Sequence, residues 1–529
     1  MSPPPQSRRQ FLHKLGLGAA SVCLTAPLCA DRTTRPALSG SRPNILLILA
    51  DDLGFSDLGC FGSPTLETPH LDQLAAGGTR FTQFYNNAKC APSRASLLTG
   101  LYAQQIGCHG PPARLENCVT LAEALRPAGY RTWMSGKWHA AETPFQRGFE
   151  RAYGLCDGHN NFWTNGYTDP DGKGFTPDWA ERRRARWAID GQEFSNWKPD
   201  SPDFFTTDAF TDAAVGYLRD AANDPSPFFL HLAYTAPHFP LHAHPEDIAK
   251  YRGRFRHGWE EERARRHQRQ LELGLVDARW TLPGRDEQVP AWSEVKDADD
   301  WDLRMAVYAA MIERMDRGIG RVVETLRKTG RLDDTLILFL SDNGGCAEQY
   351  NLTPEIAPGP KESFRTLDAG WAAATNTPFR KFKNWDHEGG ICTPGIAHWP
   401  GRVPAGRVAQ DVGHFIDFMP TCLDLAGAPY PEEHRDQPVL PPEGRSLVPV
   451  LAGGTHHGER LLAWQFGSAA AARRGRWKIV RRGRQSPWEL YDLEADRTET
   501  RNLAATRADL VAQLETEWHA WAKRVGVRG

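Results

Sequence analysis

Short apolar runs that end in polar residues are the main pattern of the chain after its first forty residues. Three of these runs have the length of strands and cover residues 44–49, 228–232 and 335–340. Runs that are apolar at every position are typical of strands buried on both faces of a parallel sheet. Apolar residues at helical spacing, from Met305 to Leu326, precede the third run. The alternation predicts an α/β fold with a large, mostly parallel sheet flanked by helices.

Polar side chains begin where each of these strands stops. Asp51 and Asp52 follow the first run, Asp342 and Asn343 follow the last, and the remaining run leads toward His238. An acidic pair of this kind can simply cap a turn. Two pairs at equivalent strand ends favour a shared site, because ligands gather at the carboxyl ends of strands in open α/β sheets. Hard oxygen side chains predict a site for Ca²⁺ or Mg²⁺.

The two ends of the chain differ from its middle. Residues 1–40 contain Arg8 and Arg9 ahead of a modestly apolar run, which resembles a twin-arginine export signal and linker, with a chance arginine pair as the alternative. The run is too short for a membrane span. We therefore expect an exported protein, periplasmic or extracellular, without stable membrane insertion.

Residues 41–430 are predicted to form the main domain and residues 431–529 a smaller C-terminal subdomain. The boundary lies in a stretch rich in proline and acidic residues, 429–442. Strands are expected at 476–480 and 488–491, and a helix at about 507–524. The highly charged stretch 245–295 is interpreted as helix and loop with a solvent-exposed face.

Charge and cysteine content exclude several classes of protein. The 63 Lys and Arg residues nearly balance the 65 Asp and Glu residues, giving a net charge of -2. No overall field favours nucleic acid, and an anionic substrate must be held locally. The ten cysteines include no C-x-x-C pair, so neither a zinc site nor a dense disulfide framework is indicated.

One cysteine lies in a distinctive setting. Cys90 is followed by Pro92, Ser93 and Arg94 at the predicted start of a helix. Backbone N–H groups and the helix dipole favour an anion at that position. A cysteine before a helix is usually structural, but this combination at fixed offsets is far less common.

C-x-P-S-R is the signature of type I sulfatases, and the chain resembles this family along nearly its whole length after residue 41. The other matching segments are Arg42 to Asp52, Gly136-Lys-Trp-His139, Ala236-Pro-His238, Ser341-Asp-Asn-Gly-Gly345, Lys383 with Glu388-Gly-Gly390, and Glu489 to Leu493. The resemblance implies an alkaline-phosphatase-like fold and a sulfuric ester hydrolase of the arylsulfatase type. It also implies that a maturation enzyme converts Cys90 to Cα-formylglycine.

The resemblance carries roles for individual residues. The ligands that it implies for a divalent ion, usually Ca²⁺ with Mg²⁺ as the alternative, are Asp51, Asp52, Asp342, Asn343 and the modified Cys90. A hydrated formylglycine has two hydroxyls, of which one attacks sulfur and the other remains to release sulfate. The other implied roles are nucleophile and sulfate binding by Arg94 and Lys137, base catalysis by His139, and contact with the bridging oxygen by His238 and Lys383. Which of the last two protonates the leaving group stays open.

Several alternatives remain at this point. Phosphonate monoester and phosphodiester hydrolases share the formylglycine motif, and a protein with unmodified Cys90 could instead only bind sulfated glycans. The substrate could be an aryl sulfate or a sulfated carbohydrate. Lys381 and Phe382 stand where the family often has two glycines, so the pocket shape is expected to differ. Other side chains that could line the cleft are Phe162, Trp163, Tyr167, Trp371, His109, His242 and His387, with core packing as the commoner fate of the aromatic ones.

Overall fold

The computed structural model describes Met1 and residues 38–166, 186–456 and 458–527. The predicted export signal, with Arg8 and Arg9, lies outside the described residues, and so does Tyr167. None of the described helices combines the length and the apolar character that a membrane span requires.

The secondary structure elements alternate along the chain. The strands of the main sheet are β1 (Asn44–Ala50), β2 (Thr79–Tyr85), β3 (Arg131–Gly136), β4 (Arg151–Leu155), β5 (Trp187–Ile189), β6 (Gln192–Phe194), β7 (Phe228–Ala233), β8 (Thr335–Ser341), β9 (Cys392–His398), β10 (Arg407–Ala409) and β11 (Gly413–His414). The later strands are β12 (Glu433–His434), β13 (Gln437–Pro438), β14 (Leu461–Phe466), β15 (Ala469–Arg474), β16 (Trp477–Arg481) and β17 (Glu489–Asp492). The α-helices are α1 (Pro69–Ala76), α2 (Cys90–Thr99), α3 (Leu121–Leu125), α4 (Thr206–Asp220), α5 (Pro245–Ala249), α6 (Gly258–Glu272), α7 (Ala298–Lys328), α8 (Asp368–Thr375), α9 (Glu388–Ile391), α10 (Phe418–Ala426), α11 (Val448–Leu451) and α12 (Ala508–Val525).

The main sheet is mixed but mostly parallel. Its strand order is β10-β2-β9-β8-β1-β7-β3-β4-β5-β6, and β11 also pairs with β2. In the centre, β1 is parallel to both β7 and β8, and β3 is parallel to β7. Antiparallel pairs occur where β9 meets β8 and β2, and at the edge formed by β4, β5 and β6. This arrangement confirms the predicted fold class.

The three apolar runs form the central strands. Every residue of β1, β7 and β8 is buried, as expected for strands covered on both faces. Helix α7 begins at the Asp297 cap, whose side chain accepts the Asp300 N–H, and packs its buried Met305, Ile312 and Ile319 into the core. Each large apolar side chain buried in this way contributes about 1.5–3 kcal/mol.

The last part of the chain forms the predicted small sheet and helix. Strands β14 to β17 are antiparallel neighbours. Helix α12 buries Trp518 and Trp521, and the Trp518 indole N–H donates to the Trp464 carbonyl at 3.0 Å. The stretch 429–442 contains the hairpin of β12 and β13.

A cluster of buried ions joins this small sheet to α9. The Lys478 ammonium lies 2.8 Å from both Glu388 and Glu499, and the Arg497 guanidinium lies 3.2 Å from Glu388. The Tyr85 hydroxyl of β2 donates to the second Glu388 oxygen at 2.8 Å. All five side chains are buried. The paired charges offset the cost of removing each from water.

The interpretation of residues 245–295 as helix and loop with a solvent-exposed face holds for one side of α6, but the other side is buried and includes charged residues. Arg266 is fully buried, donates to Asp57 at 2.7 Å and to Glu262 at 2.8 Å, and also reaches Ser56. Asp57 lies in the loop after β1, where burial raises the pKa of its carboxyl although the Arg266 charge opposes the rise. A buried carboxylate requires a counter-charge, and α6 supplies it from an otherwise polar stretch.

Candidate active site

Two acidic segments leave the sheet side by side at the ends of β1 and β8. These strands are parallel, with Ala50 opposite Ser341, so Asp51 and Asp342 follow at the same level. The Asp342 N–H donates to the Ala50 carbonyl at 3.1 Å, and the Asp52 N–H reaches Asp342 Oδ1 at 3.4 Å. The structure therefore brings together the two pairs that the sequence places at strand ends.

Three cations surround these carboxylates, and each is at most 2% exposed. The contacts are Lys137 Nζ to Asp51 Oδ2 at 2.5 Å, Arg94 Nη2 to Asp342 Oδ2 at 2.7 Å, and Lys383 Nζ to Asp52 Oδ1 at 2.8 Å. Asn343 Nδ2 also donates to Asp52 Oδ1 at 2.7 Å. Buried charges persist only when they are paired in this manner.

The donor atoms of this cluster fit a divalent cation. Among the described residues, the buried oxygens Asp51 Oδ1 and Asn343 Oδ1 have no hydrogen-bond partner. Ligand atoms of Asp51, Asp52 and His238 lie within 4.8 Å of one another. Buried oxygens without a partner are uncommon in proteins, and an ion is one explanation for them. Carboxylate and amide oxygens are the donors that Ca²⁺ and Mg²⁺ prefer.

The pKa of Asp342 also agrees with a site for a divalent cation. Burial raises the pKa of Asp342 to about 6, and the neighbouring Asp51 carboxylate adds to the rise although Arg94 and Lys137 oppose it. At Asp342, therefore, Arg94 and Lys137 do not fully offset burial and the Asp51 charge, whereas burial at Asp52 is outweighed by His238 and Lys383, which lower the pKa of that carboxyl. A divalent ion would be the largest local charge and would relieve that repulsion.

Cys90 is the first residue of α2, as the sequence predicts. Lys89 precedes it in an extended conformation, and the Cys90 side chain is buried and opens to a cleft. Cys90 and Arg94 are separated by four positions and so share one face of the helix. That spacing lets Arg94 reach Asp342 beneath the cleft while Cys90 lines it. The unpaired N–H groups of the first helical turn favour negative charge beside residue 90.

The end of β3 supplies Lys137 and His139. The Lys137 N–H is fixed by the Ala233 carbonyl at 2.7 Å, and its side chain extends to Asp51. His139 has a φ of 63° and lines the cleft, and among the described residues its buried Nδ1 has no hydrogen-bond partner. Burial lowers the pKa of His139 well below its ordinary value, and the nearby Lys137 and Arg94 charges lower it further. The neutral imidazole can accept a proton.

His238 and Lys383 both approach Asp52 but differ in protonation. His238 Nδ1 lies 2.6 Å from the Phe239 carbonyl, which can only accept, so this nitrogen carries the proton. Burial lowers the pKa of His238 to about 3, with Lys383 and Lys137 adding to the effect of burial. Burial also disfavours charge on Lys383, but the Asp52 carboxylate outweighs it and raises the pKa of the ammonium. Lys383 therefore remains protonated.

The cleft above this cluster has a volume of about 300 Å³. Four of the predicted catalytic residues line it: Cys90, His139, His238 and Lys383. The remaining predicted residues lie below it, in contact with the carboxylates: Arg94, Lys137, Asp51, Asp52, Asp342 and Asn343. The cleft has the size at which small-molecule sites begin.

Sequence reasoning missed several residues that line the cleft: Lys89, His159, Phe239, Glu348 and Tyr350. Glu348 pairs with Lys89 at 2.8 Å and lies 3.6 Å from Lys383. Its position a few residues after Asn343, in the same loop, was the available signal. Tyr308 of α7 was also missed. Its hydroxyl donates to the Asp52 carbonyl at 3.1 Å, but its spacing in the sequence is that of the apolar residues that pack the core.

None of the other described side chains considered for the cleft lines it, and His109 is exposed. His242 Nε2 contacts the Ser363 carbonyl at 2.8 Å. Phe162 and Trp371 are buried in the hydrophobic core. Trp163 and His387 line different cavities. Core packing, the commoner fate of aromatic residues, thus holds for two of them.

The mostly parallel sheet with a buried polar cluster at its carboxyl edge has the architecture of the alkaline-phosphatase-like fold. The sulfatase family model matches residues 43–428, and the model of the C-terminal region of N-sulphoglucosamine sulphohydrolase matches residues 380–523. The chain belongs to the sulfatase family and is a sulfuric ester hydrolase. Membership implies a metal ion and a formylglycine in general.

Two relatives match most of the chain. An uncharacterized sulfatase of Schizosaccharomyces pombe is 31% identical, covering 92% of this chain and 94% of its own length. The arylsulfatase of Klebsiella aerogenes is 33% identical, covering 78% of this chain and 93% of its own length. Both agree with the family assignment.

Solved structures show the same architecture. Ps i-CgsB in complex with k-i-k-neocarrahexaose has a TM-score of 0.66 and 28% identity, covering 91% of this chain and 93% of that one. The phosphonate monoester hydrolase of Agrobacterium radiobacter has a TM-score of 0.58 and 23% identity, covering 92% and 96%. The second likeness concerns the fold alone.

Proposed function

We propose that the chain hydrolyses sulfate monoesters by means of a formylglycine made from Cys90. The proposal rests on one observation: Cys90, at the start of α2, lines the same cleft as His139, His238 and Lys383. These three side chains can transfer protons. A buried carboxylate cluster that fits a divalent ion lies directly beneath. Ca²⁺ is proposed as the ion, with Mg²⁺ as the alternative, held by Asp51, Asp52, Asp342, Asn343 and the modified residue 90.

The formylglycine and the divalent ion would supply defined chemistry. A hydrated formylglycine offers one hydroxyl to attack sulfur and a second whose proton loss later expels sulfate, and a bound divalent ion offers positive charge to the sulfate oxygens. The chain contributes the surrounding charges. Arg94 and Lys137, fixed against Asp342 and Asp51, place two cationic groups at the floor of the cleft where a sulfate group would lie.

Proton transfer is assigned from the state of each group. His139 is neutral and has a buried ring nitrogen without a partner among the described residues, so it is proposed to accept the proton whose loss releases sulfate. Lys383 carries protons, whereas His238 is neutral and donates its only N–H to the Phe239 carbonyl. We therefore assign Lys383 as the acid that protonates the leaving alcohol. His238 Nε2 carries no proton in this state, so its proposed contact with the bridging oxygen is to accept a hydrogen bond from the alcohol once Lys383 has protonated it.

The substrate class follows from the cleft and from the relatives. A volume of about 300 Å³ with Phe239 and Tyr350 in its wall accommodates a single ring. The Klebsiella aerogenes relative makes aryl sulfates the first substrates to test. The neocarrahexaose bound by Ps i-CgsB makes sulfated saccharides the second.

Maturation and export are proposed to follow a fixed order. Cys90 is only 4% exposed in the folded protein, so a maturation enzyme must reach it before folding is complete. The twin-arginine-like leader at residues 1–40 would then carry the folded, converted protein out of the cytoplasm. Protein trapped in the cytoplasm should therefore already contain aldehyde at residue 90, and thiol there would contradict this order.

The test combines mass spectrometry with two assays. Protein made together with a formylglycine-generating enzyme is digested, and the peptide that contains residue 90 is examined for aldehyde. The same preparation is assayed with 4-nitrophenyl sulfate and with bis(4-nitrophenyl) phosphate, and Cys90→Ala serves as the control. Aldehyde with faster sulfate release is expected. Aldehyde with faster phosphodiester cleavage would favour the phosphodiesterase alternative, and aldehyde without turnover of either compound or of a sulfated saccharide would contradict the proposal.

A further inference from the structure

A second cavity, of about 520 Å³, is lined by sequence neighbours of Lys383 and not by Lys383 itself. We name it the basic pocket after the cations in its wall: Arg263, Arg285, Arg380, Lys381 and Arg482. Lys381 is one of the two residues that replace the glycines often found in the family, and its φ of 67° lies in the region that favours glycine. The departure from the family pattern thus places a charged side chain in this cavity.

The carboxylates of the basic pocket are already neutralised. Each of them has a cationic or histidine partner, and the pairs are Asp286 with Lys381 at 2.8 Å, Glu287 with Arg482 at 2.6 Å, Glu489 with His387 at 3.4 Å, and Glu499 with Lys478 at 2.8 Å. An incoming anion would therefore not meet an uncompensated negative charge. The acids hold the cations in place around the cavity.

Among the described residues, Arg263 differs from the other cations of the wall in having no carboxylate within salt-bridge distance, since Arg285 lies 3.6 Å from Glu260 and Arg380 lies 3.8 Å from Glu489. Its residue is 7% exposed, its Nε has no hydrogen-bond partner among the described residues, and its Nη1 reaches only the Gly284 carbonyl at 3.3 Å. In the described part of the chain no carboxylate lies within salt-bridge distance of the guanidinium, and burial lowers its pKa because Asp286 and Glu260 compensate only from farther away. Arginine stays charged in proteins, so this buried charge lacks a counter-ion.

A nearly buried histidine also lines the basic pocket. His387 is 2% exposed and lines the basic pocket, and its Nδ1 has no partner among the described residues. Its Nε2 is already directed to Glu489. Because Nε2 donates to Glu489, Nδ1 carries a lone pair and accepts, so the donor for an anion in this cavity is Arg263, a nearly buried guanidinium without a carboxylate partner.

We propose that the basic pocket is a second oxyanion-binding site, distinct from the catalytic cleft, in which the Arg263 guanidinium binds a sulfate group. The group is either free sulfate, the product of this enzyme, or a sulfate ester on a saccharide. The choice of sulfate among oxyanions rests on the sulfatase activity. The presence of the site does not, because none of its residues takes part in the proposed catalysis.

The test locates the ion directly. Crystals of the wild-type protein are soaked in sodium selenate, a tetrahedral oxyanion whose anomalous scattering identifies each bound site. Selenate is expected in the catalytic cleft and also beside Arg263. Selenate in the cleft without selenate in the basic pocket would overturn binding of the free ion there and leave the saccharide titration to decide, and it would leave the proposed catalytic function untouched.

Variants and two ligands complete the design. Arg263→Gln is expected to lose only the second selenate, whereas Arg265→Gln, a matched control on the exposed side of α6, is expected to retain both. In calorimetric titrations with sodium sulfate and with a sulfated hexasaccharide, Arg263→Gln should weaken the second site about tenfold or more. If Arg263→Gln weakens the binding of both ligands, the site binds the free sulfate ion. If it weakens only the binding of the saccharide, the site binds a sulfate group that is attached to a sugar. No loss with either would refute the proposal, and if Arg263→Gln does not fold, the wild-type selenate result decides.

Discussion

Replacing Arg266 by methionine tests whether the charged helix α6 stabilises the loop after β1, which carries Asp51 and Asp52. Arg266 is fully buried and pairs with Asp57 at 2.7 Å and Glu262 at 2.8 Å. Asp57 in turn accepts from the Gly54 N–H and from the Tyr308 hydroxyl, which also reaches the Asp52 carbonyl. Methionine keeps most of the side-chain length and removes the charge.

The expected loss of stability follows from these contacts. Removing one partner of a buried ion pair typically costs about 3–5 kcal/mol, because the other charge stays buried. Glu262 keeps His257 at 2.8 Å, and Asp57 keeps two hydrogen bonds. We therefore expect the lower end, about 3 kcal/mol. This is a large share of the roughly 5–15 kcal/mol that stabilises a typical protein.

The assay is urea unfolding followed by tryptophan fluorescence, with Arg265→Met as the matched control. Arg265 is exposed on the same helix, so its replacement should change stability by no more than about 0.5 kcal/mol. Affinity for Ca²⁺ is measured in parallel and should fall for Arg266→Met, because the loop that carries Asp52 loses support. If the two variants unfold at the same urea concentration, the buried pairs do not stabilise the protein and the reasoning is refuted.

Four further predictions address the site and its surroundings. Cys90→Ala should abolish 4-nitrophenyl sulfate hydrolysis by about a thousandfold or more with an unchanged melting temperature, and a variant with residual activity near wild type would exclude formylglycine at this position. Lys383→Met should lower kcat by about 10²–10³-fold, with a smaller loss for substrates whose leaving group is already a good one, and an equal loss for all leaving groups would argue against its role as the acid. Removal of divalent ions by a chelator should abolish activity and lower the melting temperature, both restored by Ca²⁺, and a chelated enzyme at full rate would contradict the metal assignment to Asp51 and its neighbours. Burial raises the pKa of Glu262, but Arg266 and His257 outweigh it and hold the pKa at about 2. The stability that Glu262 contributes is therefore present above its ordinary pKa of about 4.5 and is lost as the pH falls from there to about 2. The stability difference between wild type and Arg266→Met should shrink across that range, and a constant difference would show that Glu262 does not titrate in this manner.

The central strands and the residues at their ends could be predicted because one physical rule governs both. A strand covered on both faces must be apolar throughout, and residues 44–49 and 335–340 show this directly. Since parallel strands in register end together, the meeting of Asp51 with Asp342 needed no further information. The start of α2 at Cys90 could also be predicted from neighbouring residues, because Pro92 and Ser93 mark the beginning of a helix.

The supporting residues could not be predicted because their roles depend on distant partners. Arg266 is one of many charged residues in its segment, and its burial depends on Asp57, which lies far away in sequence. Tyr308 has the spacing of a core residue and differs from its neighbours only in a hydroxyl that meets the β1 loop. Glu348 follows the strand of Asp342 without a motif, and its pairing with Lys89 arises only when the loop folds over the cleft.

The buried ion cluster around Glu388 limits how this protein can be recombined with its relatives. Glu388 lies in the segment that follows Lys383, whereas Lys478, Arg497 and Glu499 come from the last part of the chain. A chimera that exchanges residues 431–529 alone would keep one half of the cluster and import the other from a different lineage. Unless both halves match, buried charge is left without a partner a few positions from Lys383. The segment that contains Glu388 and the segment that contains Lys478, Arg497 and Glu499 must therefore be exchanged together, although they are far apart in the sequence.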